Sequence, residues 1–179
     1  AQAQVLTEHA DVNLVLAQRF LSDANNFVLP ARLINCQLAN ADTLFNGGDM
    51  LALIHGSPVN IFGNFSSSLM RTADLQALLP VLTEAGTGFQ ALLDFALFIC
   101  LMRRGNLVML RSVMSVERLA PERLSKQPDM LKAASQELKW LQEMLVARGS
   151  EDAPATGWVR SIALSRIVRD QPHKWEELA

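Results

Sequence analysis

The side chains best suited to covalent or acid-base chemistry are scattered along this chain. They are His9, His55, His173, Cys36 and Cys100. No histidine lies beside a cysteine in the sequence, and there is no Gly-rich phosphate loop, H-E-x-x-H pair or G-x-S-x-G turn. Two cysteines this far apart in sequence fit neither a zinc site nor a disulfide framework. We therefore expect no enzyme, no metal and no cofactor, with both cysteines buried as small apolar residues.

Basic side chains offer a second kind of chemistry, because arginine can neutralise phosphates or bind guanine with two hydrogen bonds. The candidates for DNA binding are Arg103, Arg104, Arg111, Arg160, Arg166, Arg169 and Lys174. Of these, Arg166 and Arg169 are spaced i, i+3 and would share one helix face. For each residue the alternative is ordinary solvated charge on a helix surface.

Charge is unevenly divided along the chain. Residues 1–102 contain 3 Lys/Arg against 8 Asp/Glu, a net of −5, whereas residues 103–179 contain 13 against 10, a net of +3. This division would allow the C-terminal part to approach an anion while the N-terminal part meets protein. A difference of this size also arises from solvated helix faces, so the charge pattern leaves both interpretations open.

Composition favours helices. Half of the residues are hydrophobic, aromatic residues make up only 6%, and there is no Tyr. We expect an all-α protein, with a compact helical domain at residues 11–105 and a helical extension at residues 106–179. The longest apolar run stops at Arg103, short of a membrane span, and the N-terminus lacks the basic region of a signal peptide. We expect a cytoplasmic protein.

The first predicted helix begins at Asp11, whose carboxylate can cap a helix N-terminus. Its apolar residues occupy more than one face, which is typical of a helix buried between two neighbours. Because one neighbour could be another subunit, we take five of these residues as candidates for a dimer or partner interface. They are Leu14, Val15, Leu16, Phe20 and Leu21.

Further helices are predicted at residues 30–38, 50–55, 72–82 and 89–104, then from Pro128 onward and around residues 158–169. The pair at 30–38 and 50–55 has the outline of a helix-turn-helix, which any pair of short helices shares. The helix at 89–104 is nearly all apolar and should form the core. In the helix after Pro128, the stripe Leu131, Ala134, Leu138, Leu141 and Leu145 is predicted to be core rather than a partner surface.

The order of these segments resembles the flagellar master-regulator family FlhD. The resemblance covers residues 11 to about 105 and is carried by the segments 14–21, 32–33 and 50–53 and by Phe65. The position of the family's intersubunit cysteine is Ile61 here, and the chain continues for about 75 residues past Gly105. Both departures suggest a divergent relative, such as the activator of a mobile or conjugative element.

By this resemblance, the chain would be an all-α homodimer that joins an FlhC-like zinc-binding subunit, binds promoter DNA and activates transcription through RNA polymerase. It would not itself be the zinc subunit, because it lacks the cysteine cluster of that partner. The competing hypothesis is an all-α interaction protein, such as a secretion chaperone, without DNA-binding activity. Affinity for duplex DNA that falls with salt would separate the two.

Overall fold

A computed structural model describes residues 1–30, 38–55, 60–84, 88–119 and 127–146. Its helices are α1 (Gln2–Glu8), α2 (Gly47–His55), α3 (Thr72–Leu82), α4 (Leu93–Met102) and α5 (Pro128–Val146). Its strands are β1 (Val12–Ser22), β2 (Thr43–Phe45), β3 (Ser68–Met70) and β4 (Asn106–Arg118). The predicted helices at 30–38 and 158–169 lie wholly or mostly outside the described residues.

The prediction of an all-α fold is wrong, because the chain forms a four-stranded mixed sheet with helices. The strand order is β2-β4-β1-β3. The long strands β1 and β4 are parallel and central, and the short strands β2 and β3 pair antiparallel to β4 and β1. Because β4 begins at Asn106 and pairs with β1, residues 106–118 share a sheet with the start of the chain.

The first predicted helix, from Asp11, is strand β1 in the structure. Leu14 and Leu16 pack on one face of the sheet, and Val12 and Val15 pack on the other. A central strand that is buried on both faces shows a continuous apolar run rather than alternation. Such a run cannot be distinguished from a buried helix by periodicity alone, and this is why the sequence-based assignment failed.

The two faces of the sheet are covered unequally. The inner face packs against residues of α2, α4 and α5 and contains the odd-numbered β4 residues Leu107 and Met109. The outer face contains the even-numbered β4 residues Val108 and Leu110 and packs against Leu6 of α1. Within the described part, the outer face therefore has one helix of seven residues as its cover.

The other helices that fall on described residues are confirmed. The predicted segments at 50–55 and 72–82 are α2 and α3, the helix after Pro128 is α5, and most of 89–104 is α4. Helix α4 is the centre of the core, with the side chains of residues 95–99 all at most 1% exposed. The predicted stripe of α5 is only half correct, since Leu141 and Leu145 are buried but Leu131 and Leu138 are exposed.

Candidate interaction edge

Strand β4 is paired on both sides only at its beginning. Strand β2 pairs with β4 from Leu107 to Met109. Just beyond, the backbone N–H of Arg111 donates to the Asp42 carboxylate at 2.7 Å, which ends this pairing. From residue 113 to 118, β4 pairs with β1 on one side, with register shifts on either side of Val113, and from residue 112 to 118 it pairs, among the described residues, with nothing on the other side. We call this unpaired side of residues 112–118 the open edge.

Apolar side chains along the open edge are exposed. Residues 107–110 are at most 8% exposed, whereas Val113, Met114 and Val116 are 41%, 47% and 61% exposed. Val116 precedes the inward-pointing Glu117 in a regular stretch and points to the outer face, whereas Val113 and Met114 lie where the register of β4 against β1 shifts. Their exposure accompanies the absence of a neighbouring strand on this side, among the described residues.

A partly buried ion pair fixes the strand that carries the open edge. Arg19 of β1 and Glu117 of β4 form a salt bridge of 2.5 Å between Nη1 and Oε2, and Asn64 Nδ2 donates to the same carboxylate oxygen at 3.1 Å. Gly63, with φ of +99°, lies against the guanidinium, which would meet a Cβ there at 3.2 Å. These contacts attach the strand that carries the open edge to the residues that cover the inner face of the sheet.

Asp94 in the first turn of α4 lies near this ion pair. Burial raises the pKa of its carboxyl above the usual 3.8, and Glu117 adds to the rise, while the Phe95 backbone N–H and Arg19 act in the opposite direction. The Phe95 N–H donates to Asp94 Oδ1 at 2.7 Å. Three charged groups from β1, β4 and α4 thus share one partly buried site behind the open edge.

The Asp94→Asn variant should have a higher free energy of unfolding than the wild type. This difference should be larger at about pH 7 than at about pH 4. A pKa that is raised in the folded chain means that the folded protein binds more protons, so the wild type loses stability as pH rises from 3.8 through the raised value. Asparagine carries no such penalty. Urea unfolding over this pH range measures the difference, and an equal pH dependence for the exposed control Asp129→Asn would contradict the assignment.

Three of the DNA-binding candidates are described residues, and the side chains of two of them bind other groups of the same chain. Arg103 donates to the Met144 carbonyl, and Arg104 forms a 3.0 Å salt bridge with Asp74. The side chain of Arg111 is exposed at the start of the open edge. The described residues contain 8 Lys/Arg and 12 Asp/Glu, a net of −4, so they offer no excess of positive charge to DNA.

The remaining DNA-binding candidates lie outside the described residues. They are Arg160, Arg166, Arg169 and Lys174. Cys36 and His173 lie outside as well, and Cys100 is half-buried in α4, where burial raises the pKa of its thiol. Within the described ranges, no three His, Cys, Asp or Glu side chains are placed to hold a metal ion, and no helix is long and apolar enough to cross a membrane.

The five interface candidates lie in β1, and most of them are buried within this chain. Leu14, Val15, Leu16 and Leu21 are fully buried in the sheet. Only Phe20 remains accessible to a partner, at 40% exposed, and its register partner in β4 is Val116. The accessible part of the predicted interface is therefore beside the open edge.

Sequence reasoning missed the open edge and Glu137. Glu137 of α5 is 2% exposed and accepts hydrogen bonds from the backbone N–H groups of Gln90, Ala91 and Leu92 at 2.7 to 3.2 Å. Nothing in the sequence distinguishes it from a solvated acid. For the open edge, the β-branched residues Val113 and Val116 were an available signal for a strand.

No protein-family model matches this chain, and neither the curated proteins nor the solved structures include a match. The resemblance to the FlhD family thus stays a prediction, and the helix with which it opens is strand β1.

Proposed function

We propose that this chain is a binding subunit of a protein assembly and that it takes a partner strand onto the open edge of β4. The observation that carries the proposal is the unpaired side of residues 112–118, with the exposed apolar side chains Val113, Met114 and Val116. Strand addition to a free sheet edge is a recurring mode of protein recognition, in which backbone hydrogen bonds give affinity and alternate side chains give specificity. The proposed role is binding rather than catalysis, in the cytoplasm.

The open edge lacks several of the features by which sheets usually avoid such pairing, although its register against β1 shifts around Val113 and Glu117 is an inward-pointing charge. Natural edge strands are short, or they carry inward-pointing charges, prolines or a covering element. This edge is seven residues long, contains no proline, and has Val113, Met114 and Val116 at its centre. Arg118 is its one exposed charge, at the end of the strand.

A polar group beside the open edge also lacks a partner. The Ser115 hydroxyl oxygen is buried, and within the described part of the chain it has no hydrogen-bond partner. A buried hydroxyl without a partner costs about 1 to 3 kcal/mol. An added strand would bring backbone donors and acceptors to this position.

Replacing Met114 by Lys should lower the yield of the native complex about tenfold or more, because a lysine at the centre of a paired edge loses apolar contact and buries charge. The full chain carrying an affinity tag is expressed in its own cells, crosslinked and purified, and crosslinks that map to residues 112–118 are quantified. Val81→Lys is the matched control, since Val81 is also exposed, at 70%, but lies on α3. Equal yields from both variants would overturn the proposal.

The hypothesis of an FlhD-type activator subunit is a second candidate, supported by the sequence resemblance alone. It would require an FlhC-like zinc-binding partner, promoter DNA and RNA polymerase. Titration of the native complex with duplex DNA, at low and high salt, separates this hypothesis from a binding subunit without DNA contact.

A further inference from the structure

We infer that the open edge binds an extended segment of a different protein, in which an apolar residue faces Val116 and an acidic residue faces Arg118. The inference rests on the proposed function, whose partner it specifies. It uses only the last part of β4, residues 115–118, where the pairing with residues 19–22 of β1 runs without a register shift.

The hydrogen bonds between β4 and β1 show which backbone groups of this stretch are free. The Leu119 N–H donates to the Ser22 carbonyl at 2.7 Å, and Ser22 is the register partner of Arg118. Along a strand, alternate residues turn their N–H and C=O groups to the same side. Glu117 and Leu119 therefore turn these groups to β1, whereas the N–H and C=O groups of Val116 and Arg118 point to the open edge.

The side chain of Val116 lies on the outer face, because the next residue, Glu117, points inward to Arg19. Val116 is 61% exposed, and its register partner Phe20 is 40% exposed on the same face. A partner strand that bonds to the backbone of Val116 would place one of its own side chains beside this apolar pair. Burial of apolar area there favours an apolar residue at that position of the partner.

Arg118 supplies the charge preference. Its side chain is exposed, and among the described residues no carboxylate forms a salt bridge with it. The neighbouring acid Glu117 points to the other face, where Arg19 and Asn64 bind its carboxylate. Opposite charges that face each other across paired strands are stabilising, so an acidic residue is preferred opposite Arg118.

The two preferences together define the partner. Val116 and Arg118 are two positions apart and share one face, so the partner carries its apolar and acidic residues at i and i+2, in either order. A second copy of this chain paired through the same stretch has no acidic residue on the outer face to offer to Arg118. The complementary occupant is therefore a segment of a different protein.

Proline substitutions test the orientation of the backbone groups. Val116→Pro removes an N–H that points to the open edge, and proline is tolerated in an edge strand at such a position. Glu117→Pro removes an N–H that bonds to β1. Relative to alanine at the same position, Glu117→Pro should lower the thermal unfolding midpoint by about 5 °C or more beyond the effect of Val116→Pro. Circular dichroism measures both, and equal effects would contradict the orientation.

A displayed library of random linear peptides tests the chemistry of the partner, with the full chain as the immobilised target. Peptides that bind the wild type but not Val116→Pro should be enriched about threefold or more in Asp or Glu two positions from an apolar residue. On Arg118→Glu, the same selection should favour Lys or Arg at that position. Arg111→Glu is the matched control, since Arg111 is exposed but lies outside residues 115–118, and it should keep the acidic preference.

The outcomes separate the inference from the proposed function. An unchanged preference on Arg118→Glu, or a library in which no peptide distinguishes the wild type from Val116→Pro, overturns the inference. A wild type that dimerises in light scattering, while Val116→Pro does not, would make a second copy the occupant and overturn it as well. In each case, the effect of Met114→Lys on the native complex decides separately whether the proposed function stands.

Discussion

Replacing Glu137 by Ala should lower the free energy of unfolding by about 4 kcal/mol, because the change leaves buried backbone donors without an acceptor. The Glu137 carboxylate accepts from Gln90, Ala91 and Leu92 just before α4, where the positive end of the helix dipole also favours a negative charge. The shorter side chain would in addition leave a cavity. Urea unfolding followed by circular dichroism measures the loss.

Loss of the Glu137 carboxylate should also weaken the packing of α5 against the rest of the chain. Trp140 packs edge-on against Phe89, with ring centroids 5.9 Å apart, and Leu141 is fully buried. Without the carboxylate, α5 loses its polar attachment to the segment that leads into α4, and limited proteolysis should cut α5 before the rest of the chain. Glu143→Ala, an exposed acid on the same helix, should change stability by less than about 0.5 kcal/mol. Comparable losses from the two variants would show that Glu137 has no capping role.

Replacing Gly47 by Ala should cost about 3 kcal/mol of unfolding free energy, because a Cβ at this position would overlap backbone atoms. In the structure it would collide with the carbonyl oxygens of Met102 and Gly105. These atoms belong to the end of α4 and the connection to β4, which cannot move without disturbing the core. Thermal and urea unfolding of the variant measure the cost.

The neighbouring glycine provides the control for this prediction. At Gly48 an added Cβ would meet only the flexible side chain of Asn46, with the oxygen at 3.1 Å. Gly48→Ala should change stability by no more than about 1 kcal/mol in either direction, because alanine also favours the helix. Two variants of equal stability would mean that the close approach of α2 to the end of α4 is absent.

Those parts of the fold that depend on local sequence could be predicted. Helix α2 begins with Gly47 and Gly48, and the Asn46 side chain just before it accepts from the Asp49 N–H at 3.2 Å; α5 starts at Pro128. Helix α4 is so apolar that its central position follows from composition alone. In each case, the residues that define the element lie within a few positions of one another.

The sheet could not be predicted in this way, because it depends on pairing between distant segments. Leu14 pairs with Leu107 and Phe20 with Val116, more than 90 positions apart. Each strand is apolar on both faces over much of its length, so no local period distinguishes it from a buried helix. The open edge is still less visible, because it is defined by the strand order and not by the residues of β4.

Buried polar groups were the other source of error. Glu137 has the same local pattern as the exposed acids of α5, and only the position of α4 makes it a buried acceptor. Arg104 was one candidate for DNA contact, and in the structure it forms a salt bridge with Asp74 of α3. Partners of this kind belong to other helices and strands, so the sequence around the residue does not indicate them.

Hydrogen exchange on the native assembly tests the central claim most directly, with the Met114→Lys chain as the unassembled reference. If the open edge is the binding surface, backbone amides of residues 112–118 should exchange at least about tenfold more slowly in the assembly, while those of α3 are unchanged. Protection that appears on the helical side of the molecule, with residues 112–118 exchanging as fast as in the reference, would contradict the account.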